Sequence, residues 1–305
     1  MAKKNIVVTD RDLAALAELG ELGLMDTELL FERHFSAKAD GTSVKSPKSC
    51  QRRLADMEAQ GWVESRSPTI MENATPKSPR VPRKKPSIYR LTVAGADLVE
   101  KRLGRRPPRP GRSDMPSVET VVHRLGVVKT RLAFDDAYRQ EALPAPRWIM
   151  EYDTYADWTP TAKKHEQFLL AETFRVENRS LSCRPDAAAL LHLPGEPPAK
   201  VALYFEYDRS TEGEAQITQK LAWYATLFHN RHHLRHWPDA ENGIPRFAFI
   251  CPTVRRIESI IGWGRHHSGI AYCRFAVAKD VTPNSVLRQP IWLDAMRRPR
   301  SLFRS

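Results

Sequence analysis

Gly61-Trp62-Val63-Glu64-Ser65-Arg66 and Ser87-Ile88-Tyr89-Arg90-Leu91 settle how the N-terminal part of the chain is organised. Each run alternates in the manner of a half-buried strand. After the second, Thr92-Val93-Ala94-Gly95-Ala96-Asp97-Leu98-Val99 opens a helix. Reading backwards from Gly61, a helix is predicted to stop at Gln60-Gly61, with Cys50, Leu54 and Met57 on one face. Ser46 is its expected cap, and Pro47 sits in its first turn, where a missing N–H costs nothing. Met25 to Phe35 reads as a second, shorter helix carrying Leu29, Leu30 and Phe35. The first helix opens at Thr9-Asp10-Arg11-Asp12, a capping-box pattern, and continues through Leu13, Leu16, Ala17 and Leu19 until Gly20 and Gly23 end it.

Three helices, a two-stranded wing and a closing helix make the order of a winged helix-turn-helix, expected over residues 1–103. The stretch 67–85 between the strands is rich in Pro, Ser, Arg and Lys, lacks periodicity, and reads as a long wing loop. There Arg83, Lys84 and Lys85 suit a clamp on a phosphate backbone, a solvated loop being the alternative. On the third helix Lys48, Ser49, Gln51 and Arg52 lie off the apolar face, the positions from which side chains reach base edges in a major groove. Residues 104–116, with four arginines and three prolines before Met115, read as a semi-rigid basic linker.

The 305 residues carry a net charge of +12, so nucleic acid is the first partner class to consider, double-stranded DNA given the winged helix, and an anionic membrane surface the second. The 41% hydrophobic content suffices for packed cores, and the length suits two domains. No apolar run approaches the roughly 18 residues that a spanning helix needs. The N-terminus meets Thr9-Asp10-Arg11-Asp12 before a signal-peptide core can build, and a cytoplasmic protein without membrane association is expected. Cys50, Cys183, Cys251 and Cys273 are far apart and read as reduced thiols.

From residue 117 to 290 the texture is that of an α/β sandwich with a mixed sheet, which makes the whole chain α+β. A long helix over 117–140 precedes strands at 147–152, 184–191 and 200–208, a helix over 211–228 and a strand at 246–251. Residues 291–305 read as a basic tail that frays. Pro185-Asp186 opens one strand of a hairpin and Glu206 lies near the end of the next. Such carboxylates can share a Mg²⁺ or Mn²⁺ ion, which keeps several waters and needs few protein ligands.

This layout resembles the PD-(D/E)XK nuclease superfamily, whose pattern is Pro-Asp followed later by an acid, any residue and Lys. Asp186 and Glu206 match it, whereas Asp208 occupies the lysine position. The resemblance implies Asp186, Glu206 and Asp208 as metal ligands, with Lys220 on the next helix as a migrated catalytic lysine beside Asp186 and Glu206. The longer strings RPDAAALL and FEYDRSTEGEAQITQKLAWY, joined to a winged helix, look like the replication-relaxation family of plasmids and integrative elements. That resemblance implies plasmid replication or mobilisation as the setting. Two readings stay open: a metal-dependent DNA endonuclease, or a non-catalytic regulator whose C-terminal domain serves dimerisation or partner binding. Either way the expected partners are DNA, a second copy of the chain, and replication or mobilisation proteins of the same element.

His229-Asn230-Arg231-His232-His233-Leu234-Arg235-His236 contains two i, i+4 histidine pairs. Without a third ligand, and with Arg231 and Arg235 present, it reads as a basic helix end rather than a zinc site. Trp223 and Tyr224 are expected to pack a helix onto the sheet.

Overall fold

A computed structural model describes residues 6–37, 41–44, 46–71, 82–84, 86–109, 115–155, 167–176, 179–194, 198–240 and 243–303. Two compact units divide the chain, Met1–Val128 and Lys129–Ser305. The division falls inside a long helix. In all, seven α-helices and a mixed seven-stranded sheet are present among the described residues, an α+β architecture.

In the first unit, α1 (Asp10–Leu22) starts on the capping box that the sequence predicts: Asp12 N donates to Thr9 Oγ1 at 3.3 Å and Thr9 N to Asp12 Oδ2 at 2.8 Å. Met25 and Asp26 do not begin the second helix. They form β1 (Met25–Asp26), and Asp26 caps α2 (Thr27–Leu30), which continues as a π-helical turn through Phe35. The third helix, α3 (Lys48–Ala59), buries Cys50, Leu54 and Met57 as its spacing requires. Its cap differs from expectation. Pro47 takes the capping position with no side-chain bond, leaving Ser46 a long 3.4 Å contact to Lys48 N. Arg53 turns inward, its Nε 3.0 Å from the buried Asp12, and so braces α3 against α1.

Strands β2 (Val63–Arg66) and β5 (Ile88–Leu91) pair antiparallel with Val63 opposite Leu91, and β1 adds on the other side of β5. The sheet is therefore three-stranded rather than a bare two-stranded wing. Between these strands β3 (Thr69–Met71) and β4 (Pro82–Lys84) form a further antiparallel ladder in the stretch expected to be loop. Helix α4 (Val93–Leu103), capped by Thr92, crosses close to Trp62. A Cβ on Gly95 would lie 2.1 Å from the Trp62 carbonyl, so only glycine permits this approach. The first part of the expected linker is docked on the same unit: Arg109 N donates to Gly20 O at 3.0 Å, and Arg106 bonds Asp97 and Glu100. Helix α5 (Val118–Gln140) follows.

The second unit is built on a sheet of order β14-β13-β12-β11-β10-β9-β6. Its strands are β6 (Arg147–Met150), β9 (Ala187–Leu193), β10 (Ala199–Tyr207), β11 (Arg246–Cys251), β12 (Cys273–Val277), β13 (Trp292–Leu293) and β14 (Pro299–Arg300), with β10, β11 and β12 parallel and the remaining pairs antiparallel. A separate hairpin joins β7 (Glu172–Val176) to β8 (Arg179–Cys183). The stretch expected to fray thus supplies the last two strands at one side of the sheet, pinned by Asp294, which accepts from Met296 N and Arg298 N.

Helices α6 (Glu214–His229) and α7 (Val254–Gly264) connect the parallel strands and contribute to one core with Tyr204, Phe247, Phe249 and Phe275. On the other face Phe134 of α5 meets Phe205 and Trp292 edge-on or tilted. Period-2 alternation along β10 therefore sends Tyr204 and Glu206 toward α6 and Phe205 toward α5.

Candidate functional site

Glu206 is the centre of the site. As the penultimate residue of β10 it points at α6, and its side chain is only 5% exposed. Lys220 and Tyr224, one helical turn apart on α6, both reach it: Lys220 Nζ donates to Oε2 at 2.7 Å and the Tyr224 hydroxyl donates to Oε1. Asp186 stands beside it. The β9–β10 register, Ala187 opposite Phe205, brings Asp186 level with Glu206, and Asp186 Oδ2 accepts from Tyr207 N at 2.7 Å. Glu151 lies next along, its N–H on the Asp186 carbonyl at 2.9 Å.

Glu212, in the loop before α6, completes the cluster with Oε1 2.8 Å from Lys220 Nζ. One ammonium is thus shared between two carboxylates, with a third nearby. Burial, and then the charge of Asp186, push the Glu206 carboxyl up to about 7 against the opposing pull of Lys220 and Tyr224. For Lys220 burial works against the charge, but Glu206 and Glu212 more than offset it and hold the amine above its ordinary range. Cys183, at the end of β8, has its thiol pushed well up by burial and by Glu206. The side chains of Lys220 and Glu212 are 21% and 30% exposed, so they form the solvent-facing side of a site whose floor is Glu206.

Asp208, expected as a further ligand, is engaged elsewhere. Arg256, in the first turn of α7, grips it with two 2.8 Å bonds and adds a third to the Glu212 carbonyl. The guanidinium therefore neutralises Asp208 and fixes the loop that carries Glu212. In that loop Ser210 adopts φ 61°, a left-handed conformation uncommon for a non-glycine residue, with its N–H on Asp208 Oδ2 at 3.1 Å.

Among the described residues no three His, Cys, Asp or Glu side chains form a group that could hold a metal ion. The donor set that does converge, Asp186 and Glu206, still suits Mg²⁺ or Mn²⁺, since such ions bind through one or two carboxylates together with waters and substrate phosphates. The histidine run forms no helical pairs. Helix α6 ends at His229, Arg231 takes φ 55°, and His232 turns to Glu172 at 3.0 Å.

In the first unit Lys48, Ser49, Gln51 and Arg52 share the exposed side of α3. Arg83 and Lys84 fall on β4; Lys85 lies outside the described residues. Sequence reading finds Asp186, Glu206 and Lys220 but misses Glu212, the Tyr224 hydroxyl and Arg256. Tyr224 was within reach, four residues after Lys220 on one helix face. Arg256 gave no local signal, being 48 residues from Asp208.

The family model described as replication-relaxation matches residues 16–241, well over half of the chain. The chain belongs to the replication-relaxation family. No curated protein and no solved structure matches it. As a replication-relaxation protein it has a role in the replication or relaxation of plasmids or mobile elements, with DNA and replication-related partners. The matched stretch contains all of the acids and Lys220 but ends before Arg256. No helix among the described residues is long and apolar enough to cross a membrane.

Proposed function

We propose that this replication-relaxation protein is a cytoplasmic DNA-binding protein of a mobile element, with a winged helix-turn-helix in its first unit and a PD-(D/E)XK-like nuclease site in its second. The observation that carries the reading is the Lys220 ammonium, 2.7 Å from the buried Glu206 and beside Asp186. Asp186 and Glu206 would hold Mg²⁺ or Mn²⁺, which when bound supplies Lewis-acid stabilisation of charge on a phosphodiester. Tyr224, donating to Oε1, keeps the Glu206 carboxylate in place. Lys220 offers positive charge to the oxygens on which negative charge grows during displacement. Lys48, Ser49, Gln51 and Arg52 would face base edges, while Arg83, Lys84 and Lys85 would follow the backbone.

A second reading, a regulator that binds DNA without cutting it, is favoured by the capture of Asp208 by Arg256. Dimerisation or capture of a replication protein would then be the task of the second unit. Supercoiled plasmid carrying the element's own replicon separates the two. Nicking in Mg²⁺ or Mn²⁺ that stops in EDTA, and that falls at least a hundredfold in Lys220→Ala with DNA affinity little changed, supports the nuclease. Tight binding without nicking, together with repression of a nearby promoter, supports the regulator.

A further inference from the structure

Another cluster lies in the second unit, on the sheet face turned away from Glu206. Arg246 opens β11, and Arg274 is the second residue of β12. The β11–β12 register sets Arg274 opposite Ala248, so Arg246 and Arg274 share one face and lie one pleat apart. Tyr204, Glu206 and Phe249 occupy the opposite face. Along the strands, Arg246 is level with Leu203, three residues before Glu206 and roughly 10 Å from it.

Both arginines are half-buried, and their guanidiniums donate to backbone carbonyls: Arg246 to Pro245 at 3.1 Å, Arg274 to Cys273 at 2.8 Å. The β13–β14 edge brings Arg298 and Arg300 to the same place, their Nε atoms 2.9 and 3.2 Å from Asp294 Oδ2. Among the described residues Asp294 is the carboxylate that acts on Arg274, and none acts on Arg246. Three guanidiniums therefore share one acid, and Arg246 stands beside Arg274. Burial and the adjacent guanidinium lower the pKa of Arg246, and burial together with Arg300 and Arg298 does so for Arg274 despite Asp294. An anion placed among them relieves that repulsion.

We propose that Arg246, Arg274, Arg298 and Arg300 form a phosphate-binding surface that grips the backbone of duplex DNA, apart from the Asp186–Glu206 site. The guanidinium fork matches two phosphate oxygens at once, and the net charge of +12 favours a polyanion. This surface rests on the reading that the chain binds DNA, but not on any cleavage. It gives the second unit a hold on the backbone whichever reading of the Glu206 site is right.

The test uses full-length protein and a labelled 40-base-pair duplex of arbitrary sequence, with affinity measured from 50 to 300 mM salt. Each phosphate contact contributes about 0.9 to the slope of log affinity against log salt. Arg298→Gln/Arg300→Gln, at exposed positions, and Arg246→Gln/Arg274→Gln should each flatten the slope by about 2 and weaken binding about tenfold or more at 150 mM. Arg298→Lys/Arg300→Lys should keep the slope and lose part of the affinity, because charge stays while the fork goes. Unchanged slopes in folded double variants overturn the surface and leave the DNA reading standing. Absence of duplex binding by the wild type overturns both. Binding of polyglutamate that depends on these arginines, with duplex affinity untouched, also overturns the phosphate surface.

Discussion

Each unit buries a carboxylate against a cation, and the two pairs have opposite electrostatics. Asp12, on α1, meets Arg53 and closes its own capping box, so every strong contact opposes the penalty of burial and its carboxyl stays below the ordinary range. Glu206 meets Lys220 and Tyr224, yet burial and the neighbouring Asp186 push it up to about 7. The first cluster is balanced, one acid to one guanidinium. The second has more acid than its ammonium can neutralise. Balance of the first kind suits a brace between helices, whereas a surplus of buried negative charge beside a partly exposed lysine suits a site that receives a further cation.

The largest difference should appear on truncation. Glu206→Ala leaves the buried Tyr224 hydroxyl without its acceptor and the Lys220 amine with Glu212 alone, and should cost about 3–5 kcal/mol in urea unfolding. Asp12→Ala should cost less, about 2 kcal/mol, because Arg53 keeps a 2.6 Å bond to the Val7 carbonyl and no buried hydroxyl is left without an acceptor. Equal losses would erase the distinction between the two clusters.

A smaller effect, of opposite sign in the two units, should follow pH. The stabilisation from Asp12 is present above its unfolded pKa and lost as pH falls through its lowered folded value. For Glu206 the unfolded chain ionises first, so stability falls as pH rises from the ordinary carboxylate range to about 7, then levels off. Urea midpoints at pH 3, 5 and 7.5 should show Glu206→Gln losing the decline between 5 and 7.5, and Asp12→Asn losing part of the decline below 4. The smallest change belongs to the cap alone: Thr9→Ala should cost about 1 kcal/mol in the same unfolding experiment and leave the Glu206 titration untouched.

Both clusters were legible to different depths. Thr9 and Asp12 sit three residues apart, and the buried face of α3 follows from Cys50, Leu54 and Met57, so local spacing finds these elements. The β9–β10 hairpin and α6 were equally plain, and with them Asp186, Glu206 and Lys220 came together. Distance along the chain hid the rest. Arg53 reaches Asp12 across 41 residues and Arg256 reaches Asp208 across 48, pairings that no local period encodes. Short or polar strands were also invisible: β1 has two residues, β3 and β4 lie in a Pro- and Lys-rich stretch without alternation, and β13 and β14 are held by Asp294 rather than by an apolar pattern. The histidine run, read as a basic helix end, is one: α6 stops at His229 and Arg231 turns the chain.

Reaction against brace is tested most directly by placing Asp186→Asn beside Asp12→Asn in divalent-dependent nicking of the element's own supercoiled plasmid, each rate scaled to its folded fraction. The expected result is that Asp186→Asn binds the plasmid as the wild type does and leaves it supercoiled, while Asp12→Asn nicks at the wild-type rate per folded molecule. Nicking by Asp186→Asn as fast as by the wild type would contradict a reactive role for the Asp186–Glu206–Lys220 cluster.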